Sequence, residues 1–149
     1  MKQDIISTTI TKNIIIINLL FFFGGIVAES YEIDMSDYLG LHFFMADHFN
    51  VVQLFSYMFL HGGFSHLFFI MFAVCMFGRI LEETWGPKRF LFYYIACGVG
   101  AGLIQEVVQF IEYEMTLSAY NSVNIGTAII PMDQYLNLMR TVGASGAVY

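Results

Sequence analysis

Charge is what this sequence has least of. Only 12% of its residues are Asp, Glu, Lys or Arg and 58% belong to the hydrophobic set, whereas soluble domains average about 25% charged and about 45 to 50% apolar. A soluble fold of 149 residues has too little interior to hide that much apolar surface, which excludes a water-soluble globular domain. Basic residues are scarcer still, six against twelve acidic ones, so there is no cationic stripe to follow a nucleic-acid backbone. Cysteine is nearly absent: Cys75 and Cys97 both lie inside apolar runs, where a free thiol acts as a small apolar filler. Neither a disulfide nor a metal site is expected of them. No internal repeat or low-complexity stretch interrupts these residues.

What is present is a set of long uncharged runs. A membrane span needs about 20 mostly apolar residues to cross a hydrocarbon core of about 30 Å. The first candidate is residues 10–28, ITKNIIIINLLFFFGGIVA, with Lys12 at its entrance and Glu29 beyond its exit. It is longer than the apolar core of about 7 to 15 residues in a cleaved signal peptide, and GGIVAES is a weak cleavage site, so it reads as a retained span. Further spans are expected at about 65–81, SHLFFIMFAVCMFGRIL, and 90–110, FLFYYIACGVGAGLIQEVVQF, and a fourth begins near Val142. Gly98 and Gly102 form a G-x-x-x-G pattern, which in membrane helices serves close helix packing. With only a stub of the fourth span present, that face lacks a helix partner, which predicts poor folding of these residues on their own.

Retained Lys and Arg mark the cytoplasmic side of a membrane. Lys2 and Lys12 precede the first span, while Arg79, Lys88 and Arg89 lie at the connection between the second and third. Residues 29–60 carry Glu29, Glu32, Asp34, Asp37 and Asp47 with no basic residue. The expectation is a multi-pass protein of the cell or inner membrane with its N-terminus in the cytoplasm. Residues 29–60 and 111–141 would then lie outside, Pro131 and LSAYNSVNIGT (117–127) reading as loop. The net charge of −6 comes largely from those two loops.

Polar groups in a span are costly and call for a reason. HGGFSHLFFI (61–70) puts His61 and His66 at the outer entrance of the second span. Interfacial histidines can simply bond to loop backbone, and the five-residue spacing is not the i, i+4 spacing that puts two metal ligands on one helix face. His42 and His48 add no ligand pattern. At the other end, Gly143-Ala144-Ser145-Gly146 places a serine among small residues at a helix start. Unpaired N–H groups there suit an oxyanion, although small-residue clusters also serve helix packing. Topology strengthens the chemical reading, because His66 and Ser145 fall at the same outer depth on different spans.

From about Tyr57 onward the chain resembles the rhomboid intramembrane serine proteases. The resemblance rests on HGGFSHLFF, on Gly78-x-x-x-Glu82-x-x-x-Gly86 in GRILEETWG, on GPKRFLFYYI and on VGASGAVY. It implies an all-α polytopic transmembrane helix bundle, here in part, and cleavage of transmembrane or juxtamembrane segments of other membrane proteins, with no metal and no cofactor. Ser145 would be the nucleophile, and its N–H and His66 the oxyanion donors. Gly143 would keep the site open and Tyr149 would pack one turn away. Gly78, Glu82 and Gly86 would be structural, Glu82 capping and pairing rather than catalysing. The Phe-, Tyr- and Met-rich first outer loop is similar to the family loop that lies partly in the outer leaflet. Partners would be transmembrane substrates and the lipid bilayer, without nucleic acid; the resemblance assigns no oligomeric state.

Two departures stand out. The family has an asparagine four residues after the histidine matching His66, and here that residue is Ile70, which removes one donor worth about 10² to 10³ in rate. The family's general base is a histidine on the sixth core helix, and none of His42, His48, His61 and His66 matches it. A serine without a base is a poor nucleophile, so these 149 residues alone are expected to be inert, as the N-terminal part of a longer protease. The competing reading is a rhomboid-like protein that binds transmembrane clients without cutting them. A plain helical scaffold or transporter piece would leave the His66 and Ser145 coincidence unexplained.

Overall fold

The computed structural model describes residues 8–143. Three helices are long and apolar enough to cross a membrane, Thr9–Glu29, Phe64–Trp85 and Pro87–Leu117. Each leaves most of its surface uncovered by protein. Phe23, Val27, Phe68, Phe72, Ile104 and Val107 are exposed, a distribution suited to lipid and not to water. The protein is therefore mostly helical and multi-pass.

The first span is α1 (Thr9–Glu29). The second is built from α4 (Phe64–Ala73), a π-helical turn at Val74–Gly78 and α5 (Arg79–Trp85). It stops where Gly86 takes φ 85°, a left-handed conformation that side chains resist. Pro87 then opens α6 (Pro87–Glu112), as suits a residue with no N–H to leave unpaired. A second π-helical turn carries this third span to Leu117. Its 31 residues rise about 46 Å at 1.5 Å each, more than the thickness of a hydrocarbon core of about 30 Å. Expecting it to end at Phe110 stopped about two turns short, because charged Glu112 and Glu114 end the apolar run without ending the helix.

The helices are tied at the N-terminal end of α1 by one carboxylate. Glu82 is buried and its Oε1 accepts from the Ile10 N–H at 2.9 Å. Its Oε2 accepts from the Thr11 N–H at 2.8 Å and the Thr11 hydroxyl at 2.7 Å. Thr8, the residue at the N-cap, makes no side-chain capping bond, so a residue some 70 positions away satisfies donors that a local cap ordinarily would. Gly78 makes the approach possible, since a methyl group there would come within 3.1 Å of Phe90 and 3.3 Å of Thr11 Oγ1.

The segment between the first two spans is folded. It contains α2 (Met35–Leu39), the short strand β1 (Leu41–His42), α3 (Gln53–Ser56) and a 3-10 turn at Tyr57–Phe59. Buried Gln53 staples it: Oε1 accepts from the N–H groups of His42 and Asn50 at 3.2 and 3.1 Å. Its Nε2 donates to the carbonyls of Tyr38 and His48 at 3.1 and 2.9 Å. Tyr57 and Met58 lie on the glycine face of α6. The Tyr57 hydroxyl donates to the Gly98 carbonyl at 2.6 Å. A Cβ on Gly98 would overlap the Met58 sulfur and methyl, and one on Gly102 would meet Tyr57, Leu41 and Leu54 at 3.2 to 3.3 Å. This corrects the expectation that the glycine face waits for another helix, because the segment between the first two spans fills it.

After α6 come a hairpin, β2 (Ser122–Asn124) with β3 (Ile129–Pro131), and α7 (Met132–Leu138). Strand β4 (Arg140–Thr141) pairs antiparallel with β1, Leu41 opposite Thr141 and His42 opposite Arg140. The main core joins Ile14, Leu41, Tyr57, Met58, Leu67, Ile70, Phe90 and Tyr94. Phe43, Ala46 and Leu136 form a smaller cluster under the outer segments. The fourth span expected from about 142 falls almost wholly outside the described residues.

Glu82→Ala leaves the buried Thr11 N–H and hydroxyl and the half-buried Ile10 N–H without their acceptor. We expect it to destabilise the protein in detergent by about 3 kcal/mol or more, and Glu82→Gln by less. Equal stability of Glu82→Ala and wild type in reversible unfolding would contradict the capping role.

Candidate functional site

The described part of the site gathers at the N-terminal end of the second span. Gly62 and Gly63 immediately precede α4, and the Gly62 N–H donates to His66 Nδ1 at 3.2 Å. A ring nitrogen that accepts carries no proton, so in neutral His66 the proton resides on Nε2, which is left as the donor. The edge formed by Cε1 and Nε2 lies against Gly143. A methyl group on Gly143 would come within 2.6 Å of Cε1 and 3.1 Å of Nε2, and Gly143 has φ 115°. Space and backbone both demand glycine there. The Gly143 N–H in turn donates to the Tyr57 carbonyl at 2.8 Å.

His66 and Gly143, each named for the site by the family resemblance, lie side by side. Ser145 and Tyr149 lie outside the described residues. Gly78, Glu82 and Gly86 sit at the opposite end of the second span, remote from His66. Ile70 is buried in the main core, filling space where an asparagine would supply a donor. Among the described residues no group of three or more His, Cys, Asp or Glu side chains is placed to hold a metal ion.

His61 stands beside His66, ring centroids 5.5 Å apart and nearly perpendicular. Both of its ring nitrogens are buried, with no hydrogen-bond partner among the described residues. Burial, and secondarily the charge of a protonated His66, hold it down to about 4, against a small upward pull from the Phe59 backbone. His61 is therefore a neutral ring at physiological pH. It borders a cavity of about 440 Å³ between the outer end of α1, α2 and residues 60–63, shared with Glu29, Asp34 and Ser36.

Three contributors were not legible beforehand. Gly62 acts through its N–H and Tyr57 through its carbonyl, and backbone groups leave no trace in residue identity. Arg140 could have been noticed as the sole basic residue of the two acidic outer segments. Its guanidinium donates to both Asp34, at 2.7 Å, and Asp37.

The helical multi-pass bundle thus brings His66 against Gly143 at one end of the second span. The rhomboid domain family matches residues 48–149, and the chain belongs to the rhomboid family. No curated protein and no solved structure matches it.

The depressed His61 fixes the sign of an acid effect. The unfolded chain's histidine takes up its proton near 6.5, whereas folded His61 waits until about 4. Between those values the unfolded state binds more protons, so stability is full above about pH 6.5 and falls as the pH drops toward 4. Wild type should lose more thermal midpoint than His61→Phe when detergent samples are moved from neutral pH to near 4.5. Parallel losses would remove His61 from the account.

Proposed function

We propose that this protein is a serine-type endopeptidase that cleaves membrane proteins in or beside their transmembrane segments. The observation that carries the reading is the orientation of His66: Gly62 occupies Nδ1, so Nε2–H is the free donor, and it borders Gly143, two residues before Ser145. In this reading the Ser145 hydroxyl attacks the scissile carbonyl. The oxyanion is held by the Ser145 N–H and His66 Nε2–H, donors preorganised for charge that develops in the transition state. Tyr149 packs beside the site. The proton passes to a general base, a role that the family resemblance assigns to none of the four histidines. Helical substrates bury their carbonyls in i to i−4 bonds, so segments loosened by Gly or Pro are preferred. The charge distribution favours a cytoplasmic N-terminus, which would open the site to water from the outer face.

A second reading, a rhomboid-like protein that binds transmembrane clients without cutting them, draws support from Ile70. Its apolar side chain is committed to the core and offers the oxyanion nothing.

The two separate in a labelling experiment on the full-length protein with a fluorophosphonate serine probe. The protease reading predicts labelling that Ser145→Ala abolishes and that His66→Ala slows about 10² to 10³-fold. Labelling indifferent to both substitutions, or none, favours the binder.

A further inference from the structure

Two-residue strands are poor at specifying register, yet β1 and β4 must pair correctly, because a slip of one residue turns every side chain to the other face. Strand β4 ends two residues before Gly143, so any slip passes directly to the chain that leads to Ser145. An additional device pins it. Asp34 and Asp37 stand three apart at the start of α2, which places them on one face. Asp34 is itself fixed, its Oδ1 accepting the Ser36 N–H at 2.8 Å as a helix cap. Its Oδ2 accepts from Arg140 Nη2 at 2.7 Å, while Asp37 accepts from Nη1. The planar fork of one arginine therefore spans two carboxylates, a geometry that a point-charge ammonium does not reproduce. The Ser36 bond first, and Arg140 further, hold Asp34 below the usual carboxylate range, so the clamp stays charged at any physiological pH.

We infer that Arg140 is a positioning residue that, clamped by Asp34 and Asp37, sets the register of β4 on β1 and thereby the placement of the Gly143–Ser145 chain against His66. The inference rests on Ser145 being the nucleophile only for its catalytic consequence; the register itself is independent of it. Three ties then act in series on this strand: the guanidinium fork at Arg140, the His42 and Arg140 pairing, and the Gly143 N–H bond to Tyr57.

The test uses full-length Arg140→Asp, Asp37→Arg and the double swap, which leaves Asp34 free to cap α2. Amide exchange across residues 140–143 and fluorophosphonate labelling are read on each. The expected result is that Arg140→Asp raises exchange there roughly tenfold or more while α6 stays protected. It should also slow the bond-forming rate by a similar factor without changing the half-saturating probe concentration, and the swap should return both to within about threefold of wild type. Arg140→Lys, which keeps the charge and loses the fork, falls between and serves if Arg140→Asp does not fold. Unchanged exchange in the folded variants, or a swap that restores neither readout, overturns the inference. If wild type fails to label, the protease reading falls, and the exchange arm still decides the clamp.

Discussion

Tyr57 joins the two halves on which everything else in this protein depends. Its hydroxyl bonds the Gly98 carbonyl in the third span, and its backbone carbonyl receives the Gly143 N–H at the edge of the site. One buried residue thus references the approach to Ser145 against a membrane helix rather than against a loop. Met58 reinforces this by filling the space that Gly98 leaves. Because lipid is as apolar as any side chain, burial alone drives such packing weakly in a membrane, and close contact plus hydrogen bonds must carry it. The glycine face supplies the contact, and Tyr57 supplies the bond.

The two ends of the second span solve different problems with the same economy of polar groups. At one end Glu82 closes the first turn of α1 and needs no water to do so. At the other, the Gly62 N–H selects the His66 tautomer, and His61 adds a neutral ring beside it. Ile70 lies one turn into the span from His66. Its apolar side chain packs into the core and offers no hydrogen-bond donor there.

Much of the architecture was legible in the sequence, because membrane spans announce themselves through length and apolarity, as Ile10–Ala28 did. The rhomboid resemblance named both His66 and Gly143, but their direct contact was not legible in the sequence. The end of α6 was not, since helix continuity past Phe110 depends on hydrogen bonds and not on hydropathy. Nor was the cover over Gly98 and Gly102: a small-residue face states that something approaches closely, and Met58 gives no sign of being that something. The hairpin at 122–131 and the pairing of β1 with β4 involve strands of two or three residues, too short to show an alternating pattern.

The central claim is that the outer loop, seated on the glycine face of α6, holds the chain before Ser145 in place. The most direct measurement is amide exchange at Gly143 in Gly98→Val and Gly100→Val, two substitutions with the same local cost to one helix. Gly98 has Met58 upon it, and Gly100 has open space. Faster exchange at Gly143 in Gly98→Val alone is the predicted result. Equal exchange in the two variants would mean that the loop and the glycine face do not support the site.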